Sequence, residues 1–402
     1  MSEHETILLA YSGGLDTSFC IPWLKETYGC EVVTVTVDTG GIDEKAAEDL
    51  QTRALALGAS KHRIVDARSQ FFDDVLRFLI AGNVKRGQRY PLCVGAERGV
   101  QAAVMARVAR ESGATCIAHG CTAAGNDQVR FEIALNALAP DAEVLAPVRD
   151  NHWIREQQLA FLRERNLPLP PTGADYSINR GLWGITIGGQ ETLTSASSIP
   201  ESAWVLSSGA LHAQRPAASH TLSFDAGIPV ALDGQAHDPV TLIEALEVLG
   251  ASFAIGRGIH LGDTILGTKG RVAFEAPAAE ILIETHRELE KLTLSGLQLR
   301  IKEQVSQSFG DFVHEGKQLD PACRDIEALL ASSQQRVRGD VHFELTPGRL
   351  FITGVESSAS LLSATKGIYG EAAGEWSAAD ARGYSRILSL PGILQSRVES
   401  VG

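Results

Sequence analysis

Two stretches of the chain combine residue types that can do chemistry. The run Tyr11-Ser12-Gly13-Gly14-Leu15-Asp16-Thr17-Ser18 comes straight after the apolar residues Ile7-Leu8-Leu9-Ala10, so it falls between a strand and a helix. Two adjacent glycines let the backbone turn its N–H groups inward without Cβ clashes. The hydroxyls of Ser12, Thr17 and Ser18 add donors, and the following helix points its positive end at the same place. This is an anion cradle, and it reads as a site for the pyrophosphate end of ATP. It is not a Walker A loop, for no Gly-x4-Gly-Lys-[Ser/Thr] occurs, and Gly262 to Lys269 misses that spacing by a residue. Asp16 takes the place of the usual lysine. A carboxylate among phosphates is tolerable only with a cation such as Mg²⁺ between them, so a ligand role for Asp16 outweighs a merely structural one.

The second stretch is Ala118-His119-Gly120-Cys121-Thr122-Ala123-Ala124-Gly125-Asn126-Asp127-Gln128-Val129-Arg130-Phe131, small and glycine-bearing, then abruptly polar. Helix capping accounts for Asn126 or Asp127 but not both, and it leaves Thr122 and Arg130 unexplained. Arg130, one turn on, faces the same way as Asn126. His119 has no acid or second histidine beside it in sequence and reads as structural. Cys121 reads as a loop filler. Asp38 either contacts a nucleotide or starts the turn into Gly40-Gly41. Val100, Ala103, Val104 and Val108 form a helix face packed on a sheet.

The elements that must position these residues are legible from the pattern. Short apolar runs alternate with amphipathic ones, which predicts a mainly parallel, doubly wound α/β sheet. Strands are expected at Thr6–Tyr11, Glu31–Asp38, Arg63–Asp66 and Thr115–His119. Helices are expected at Asp16–Tyr28, Asp43–Leu57, Ser69–Ala81, Ala96–Ser112 and Asn126–Leu138, with Gly58 and Gly113 as stop signals. The Ser12 loop, Asp38-Thr39-Gly40-Gly41 and His119-Gly120-Cys121-Thr122 then converge beyond the carboxyl ends of the strands, where such sheets bind ligands.

At 402 residues the chain exceeds what one core usually supports, so two domains are expected. After Pro147 the periodicity weakens, and Leu167-Pro168-Leu169-Pro170-Pro171-Thr172-Gly173 reads as a stiff connector. The expected division is a nucleotide-binding domain over 1–168, a second domain over 169–375 and a C-terminal helix over 376–402. The second domain reads as α+β: strands at Thr221–Phe224 and Pro229–Leu232, a helix at Pro239–Leu249, strands around Ile265 and at Arg271–Glu275, a helix from Pro277 to Leu292, and paired strands near Val341–Leu345 and Leu350–Thr353 across Thr346-Pro347-Gly348. In the tail, Ile387, Leu388, Leu390, Ile393 and Leu394 need a covering partner, which points to oligomerisation.

A net charge of −13 works against nucleic acid as a partner. No apolar run reaches the length of a membrane span, and Met1-Ser2-Glu3-His4-Glu5 is acidic where a secretory signal is basic, so a cytoplasmic protein is expected. Cys20, Cys30, Cys93, Cys116, Cys121 and Cys323 include no Cys-x2-Cys pair, which argues against a zinc site and a disulfide framework.

Ala10 to Ser18, together with Gly120-x-Thr122-x-x-Gly125-Asn126-Asp127-Gln128-Val129-Arg130-Phe131, resembles the argininosuccinate synthase family. The first motif alone marks only the wider N-type ATP pyrophosphatase superfamily; the second is far more specific. The resemblance continues through Tyr176-Ser177, Thr186, Gly256-Arg257, Lys269-x-Arg271 and Glu275-x-Pro277. It implies an adenine nucleotide alpha hydrolase-like first domain and a cytoplasmic homotetramer of arginine biosynthesis. It also implies ligation of citrulline to L-aspartate, with ATP as substrate and Mg²⁺ accompanying it, and no protein metal centre. On matching positions it implies ATP contacts from Ala10, Tyr11, Ser12, Gly13, Gly14, Leu15, Asp16, Thr17, Ser18, Val37 and Gly120, and aspartate contacts from Thr122, Asn126 and Asp127. Citrulline would meet Tyr90, Asn126, Arg130, Ser177 and Thr186, and Ser12, Asp16 and Arg130 would be catalytic.

The sequence departs from the family on one side of the site. Members usually carry a Thr-Ser pair followed by Ala-Arg-Pro after Tyr90; here the run is Val94-Gly95-Ala96-Glu97-Arg98-Gly99. A glutamate and a tyrosine that the family places near the amino-acid end of citrulline are replaced by Gly262 and Phe274. Either other groups meet that end of citrulline, or the substrate is an N-acylated citrulline or another ureido compound. Two further readings are another AMP-forming ligase, which requires paired or N-terminal catalytic cysteines that are absent here, and a non-catalytic adenine-nucleotide-binding module.

Overall fold

The computed structural model describes residues 5–170 and 175–400. Five parallel strands, β1 (Thr6–Ala10), β2 (Glu31–Asp38), β3 (Lys61–Asp66), β4 (Cys116–Ala118) and β5 (Glu143–Leu145), lie in the order β3-β2-β1-β4-β5. Strand order reverses between β1 and β4, and a crevice opens there beyond the carboxyl ends. Both faces of β1 are covered: Ile7 and Leu9 pack with Phe19, Leu24 and Leu162, and Leu8 packs with Val104, Val108 and Ile117. A strand buried on both faces reads as an unbroken apolar run, as Ile7 to Ala10 does. The flanking helices include α1 (Leu15–Tyr28), α2 (Glu44–Ala56), α3 (Arg98–Ser112) and α4 (Asp127–Leu138), each within two residues of expectation. Between β3 and α3, the single helix expected over 69–81 contains a wide turn at Phe72–Leu76.

The second half holds two antiparallel sheets. One combines Ala218–Asp225, Ile228–Leu232, Gln235–Ala236, Gly339–Thr346 and Arg349–Glu356. The other combines Ser177–Gly181, Gly184–Gly188, Arg257–Asp263 and Lys269–Glu275, and it faces the crevice. The first two strands of this second sheet are short and glycine-bearing, so their sequence carries little strand signal. The strand expected around Ile265 ends instead at Asp263, because Thr264 and Thr268 close a turn with Gly267 at φ +82°. Helices Gly296–Glu315 and Pro321–Gln334 add to the expected set; Ser295 and Gln298 form a capping box and Gly316 ends the first of them.

The connector expected over 167–173 falls partly outside the described residues. The tail forms two helices, Ala378–Leu388 and Leu390–Glu399, with no buried residue in either; Ile387, Leu388, Leu390, Ile393 and Leu394 are all exposed. Gly40 ties the halves together: at φ +111° it brings Thr39 O within 2.9 Å of Leu182 N, and a Cβ there would stand 2.4 Å from that nitrogen.

Candidate active site

The loop after β1 turns through Gly13 at φ +76°, and Gly13 O accepts from Arg53 Nη1 at 3.0 Å. Ser12 and Thr17 hydroxyls stand 3.2 Å apart, and Ser12 N donates to Thr17 Oγ1 at 3.3 Å. Gly14, the N-cap of α1, offers no side-chain cap, so the first amides of α1 stay open, with Asp16 the one acid in the first turn. A cavity of about 540 Å³ lies there, lined by Ala10, Tyr11, Ser12, Gly14, Asp16, Thr17, Val37, Gly120, Thr122, Asp127 and Ser177, among others. Gly13, Leu15 and Ser18 support this wall from behind: Leu15 packs with the core under α1, and Ser18 is fully buried with its Oγ 3.5 Å from Tyr11 Oη. Asp16 Oδ1 accepts from Gln158 Nε2 at 2.8 Å, which fixes the carboxylate at the cavity wall.

The three minor candidates resolve. Asp38 caps its own turn, with Oδ1 accepting from Gly40 N at 2.8 Å. Burial pushes the Cys121 thiol up to about 12, which suits a filler and not a nucleophile. His119 Nδ1 accepts from Cys121 N at 3.3 Å, so its proton sits on Nε2, which faces Glu132 at 3.4 Å across the helix. The acid missing from the local sequence is supplied by α4.

Neither Asn126 nor Asp127 caps α4. Asn126 Oδ1 accepts from Ile265 N at 3.0 Å, joining the second motif to the turn after Asp263. Asp127 receives Arg98 Nε at 3.0 Å on Oδ2 and Arg130 Nη1 at 2.8 Å on Oδ1. Burial pushes the Asp127 carboxyl up, but the two guanidiniums outweigh it and hold its pKa below the usual value. Arg98 also donates to Glu97 Oε1 at 2.9 Å, and Thr39 Oγ1 donates to Glu97 Oε2 at 2.9 Å. Burial raises the Glu97 carboxyl to about 7, with Arg98 and Thr39 opposing.

A second cavity, about 250 Å³, adjoins the first, and Asp127 and Asn179 line both; the second is termed the inner cavity and the first the outer one. Tyr90, Asn126, Arg130 and Thr186 line the inner one, as do Arg86, Val94, Gly95, His260, Gly262, Asp263, Arg271 and His314. Ser177 lines only the outer one. Tyr90 turns its hydroxyl away, donating to Cys93 O at 2.5 Å, and stacks on His260 at 5.2 Å. Arg130 donates to His314 O at 2.7 Å through Nε and to His314 Nδ1 at 3.2 Å through Nη2. A Cβ at Gly95 would stand 3.3 Å from the Arg130 guanidinium carbon, so a glycine there gives that guanidinium its room. Phe274 lies beneath the cavity and not in it: its ring covers Gly258 and meets Tyr90 edge-on at 5.2 Å.

Arg86, His260, His314, Gln158 and the Glu97–Arg98 pair carry no motif that marks them as site residues. Glu97 and Arg98 were visible in the sequence only as a departure from the family run after Tyr90; the others join the site solely through long-range packing.

Residues 6–168 match the family model described as arginosuccinate synthase N-terminal HUP domain, and residues 176–394 match the one described as arginosuccinate synthase C-terminal domain. The argininosuccinate synthase of Dictyoglomus turgidum is 36% identical over 394 residues, covering 98% of each chain. That of Xanthomonas campestris pv. campestris is 38% identical over 398 residues, covering 98% of each. That of Sulfurisphaera tokodaii is 34% identical over 394 residues, covering 98% of this chain and 99% of its own.

Proposed function

The chain belongs to the argininosuccinate synthase family, and from that premise we propose that it joins the ureido group of citrulline to the amine of L-aspartate at the expense of ATP. The observation that carries the reading is the pair of cavities meeting at Asp127 and Asn179, one under the open amides of α1 and one lined by Arg130, Asn126 and Thr186. ATP lies in the outer cavity along Ala10 to Ser18, Val37 and Gly120, and Asp16 would hold a magnesium ion arriving with it, which would offset the phosphate charge. The ureido group enters from the inner cavity beside Arg130. Its oxygen attacks the α-phosphorus, and the bond from that phosphorus to the pyrophosphate oxygen breaks. Aspartate, held by Thr122, Asn126 and Asp127, then attacks the ureido carbon with its amine; AMP leaves and the nitrogen gives up a proton. Adenylation is required because a ureido oxygen is a poor leaving group and AMP a good one. Ser12 and the loop amides stabilise the phosphate charge, and Arg130 orients the ureido end.

Citrulline labelled with ¹⁸O in the ureido group tests the sequence of steps. Label appearing in AMP is expected; unlabelled AMP overturns it. The division at 168 and 375, a homotetramer held by the tail helices, and a cytoplasmic setting complete the proposal. All six cysteines are free, which suits a reducing compartment. Removing residues 376–402 is expected to lower the mass measured by light scattering from a tetramer to a smaller species.

A further inference from the structure

The inner cavity is rich in cations and short of free acids. Three arginines, Arg86, Arg130 and Arg271, line it together with two imidazoles held neutral by burial, His260 and His314, against two carboxylates, Asp127 and Asp263. Asp127 is already taken by Arg98 and Arg130. The Asp263 carboxylate turns out to Lys269 and is 62% exposed, while its backbone carbonyl accepts from Arg86 Nη1 at 3.0 Å. Asp311, outside the lining, faces Arg86 Nε at 3.7 Å, so among the described lining residues no side-chain acid is left over for a guest's ammonium.

Arg86, His260 and Gly262 meet at one patch of the inner cavity wall, and none of the three lines the outer cavity. A Cβ on Gly262 would stand 2.6 Å from His260 Nε2 and 3.3 Å from Arg86 Nη1. The space of a side chain at 262 is therefore faced by an imidazole and a guanidinium. His260 Nε2 is buried and has no hydrogen-bond partner. His314 Nε2 has none of good geometry either, although the Asp263 carbonyl lies near enough to favour its protonation. A buried polar nitrogen left without a partner costs free energy that an arriving acceptor restores.

On the ligase reading above, we propose that this patch of the cavity holds the carboxylate of an ω-ureido acid that carries no free ammonium, through Arg86 and His260, and that citrulline is the poorer substrate. The same field already acts on the protein's own bases. Burial, then Arg86, lowers the His260 pKa; burial, then Arg130, Arg86 and His260, lowers that of His314 to about 3. An ammonium entering here meets the same desolvation and the same positive neighbours, whereas a carboxylate is matched by them. An amide in place of the ammonium, or nothing at all, removes the penalty; the two are alternatives of one chemistry.

Steady-state pyrophosphate release with ATP and aspartate, in the presence of citrulline, N-acetylcitrulline or 5-ureidopentanoate, tests this. The kcat/KM of at least one of the latter two is expected to exceed that of citrulline by tenfold or more, and which one does so distinguishes an acylated from an amine-free substrate. A kcat/KM for citrulline equal to or above both overturns the inference and leaves the ligase reading standing. Pyrophosphate release with none of the three overturns the ligase reading itself. Gly262→Glu, whose new side chain must displace the end of His260 and press Arg86 back slightly, is expected to move the preference at least fivefold toward citrulline. An unchanged preference in a folded variant overturns the assignment of this patch.

Discussion

Arg98, the first residue of α3, donates through Nε at 3.0 Å to Asp127, the first residue of α4. This contact, rather than capping, explains why an acid opens α4 beside an asparagine. It also couples the segment that departs from the family to Asp127, which is proposed to bind aspartate and does not depart from it. Arg98→Lys keeps the charge and loses the planar fork. The KM for aspartate is expected to rise about tenfold, roughly the worth of one charge-assisted hydrogen bond, with the KM for ATP changed less than twofold. Equal effects on both would place Arg98 elsewhere in the mechanism.

Asp16 is held by Gln158 at 2.8 Å and lines the nucleotide cavity. Asp16→Asn preserves that hydrogen bond and removes the charge. Turnover is expected to fall about a hundredfold, the scale of losing one preorganised electrostatic contact, and the magnesium concentration for half-maximal rate is expected to rise. A variant with unaltered magnesium dependence would sink the role given to Asp16.

Glu97 titrates upward on folding, to about 7 from 4.5, chiefly through burial. A raised carboxyl favours the folded state fully below its unfolded pKa and loses that contribution as pH rises through the folded one. Stability from this group is therefore expected to fall between pH 4.5 and 7. Across that interval Glu97→Gln should flatten the decline in Tm, gaining on wild type as the pH rises. A variant whose Tm runs parallel to wild type from pH 5 to 8 would contradict it.

Lys302 and Glu290 form a buried pair at 2.8 Å, supported by Asn83, Gln334 and the Ala81 carbonyl. Lys302→Met strands the Glu290 charge, and urea unfolding is expected to show a loss of about 3–5 kcal/mol. Lys302→Met combined with Glu290→Gln should recover a good part of it. If the double variant is no better than the single, the loss has another origin.

Much of the first domain was legible because its signals are local. β1, α1 and β2 each carry their own apolar period, and the glycines at 13 and 14 with the hydroxyls at 12 and 17 announce an anion loop without reference to anything distant. The strands at Ser177–Gly188 were not legible, since glycines and polar residues there become strands only by pairing with Lys269–Glu275. Nor was the end of Arg257–Asp263, which the turn at Gly267 decides.

By itself, then, the sequence determined the family, the doubly wound sheet and the nucleotide loop, since each follows from residues adjacent in the chain. The tertiary structure alone decided which acids stay free. Asp127 is spent on Arg98, 29 residues away, and Arg86 and His260 converge on the space at Gly262 from elements 174 residues apart. Charge balance in a cavity is a sum over every wall, and no single segment contains that sum.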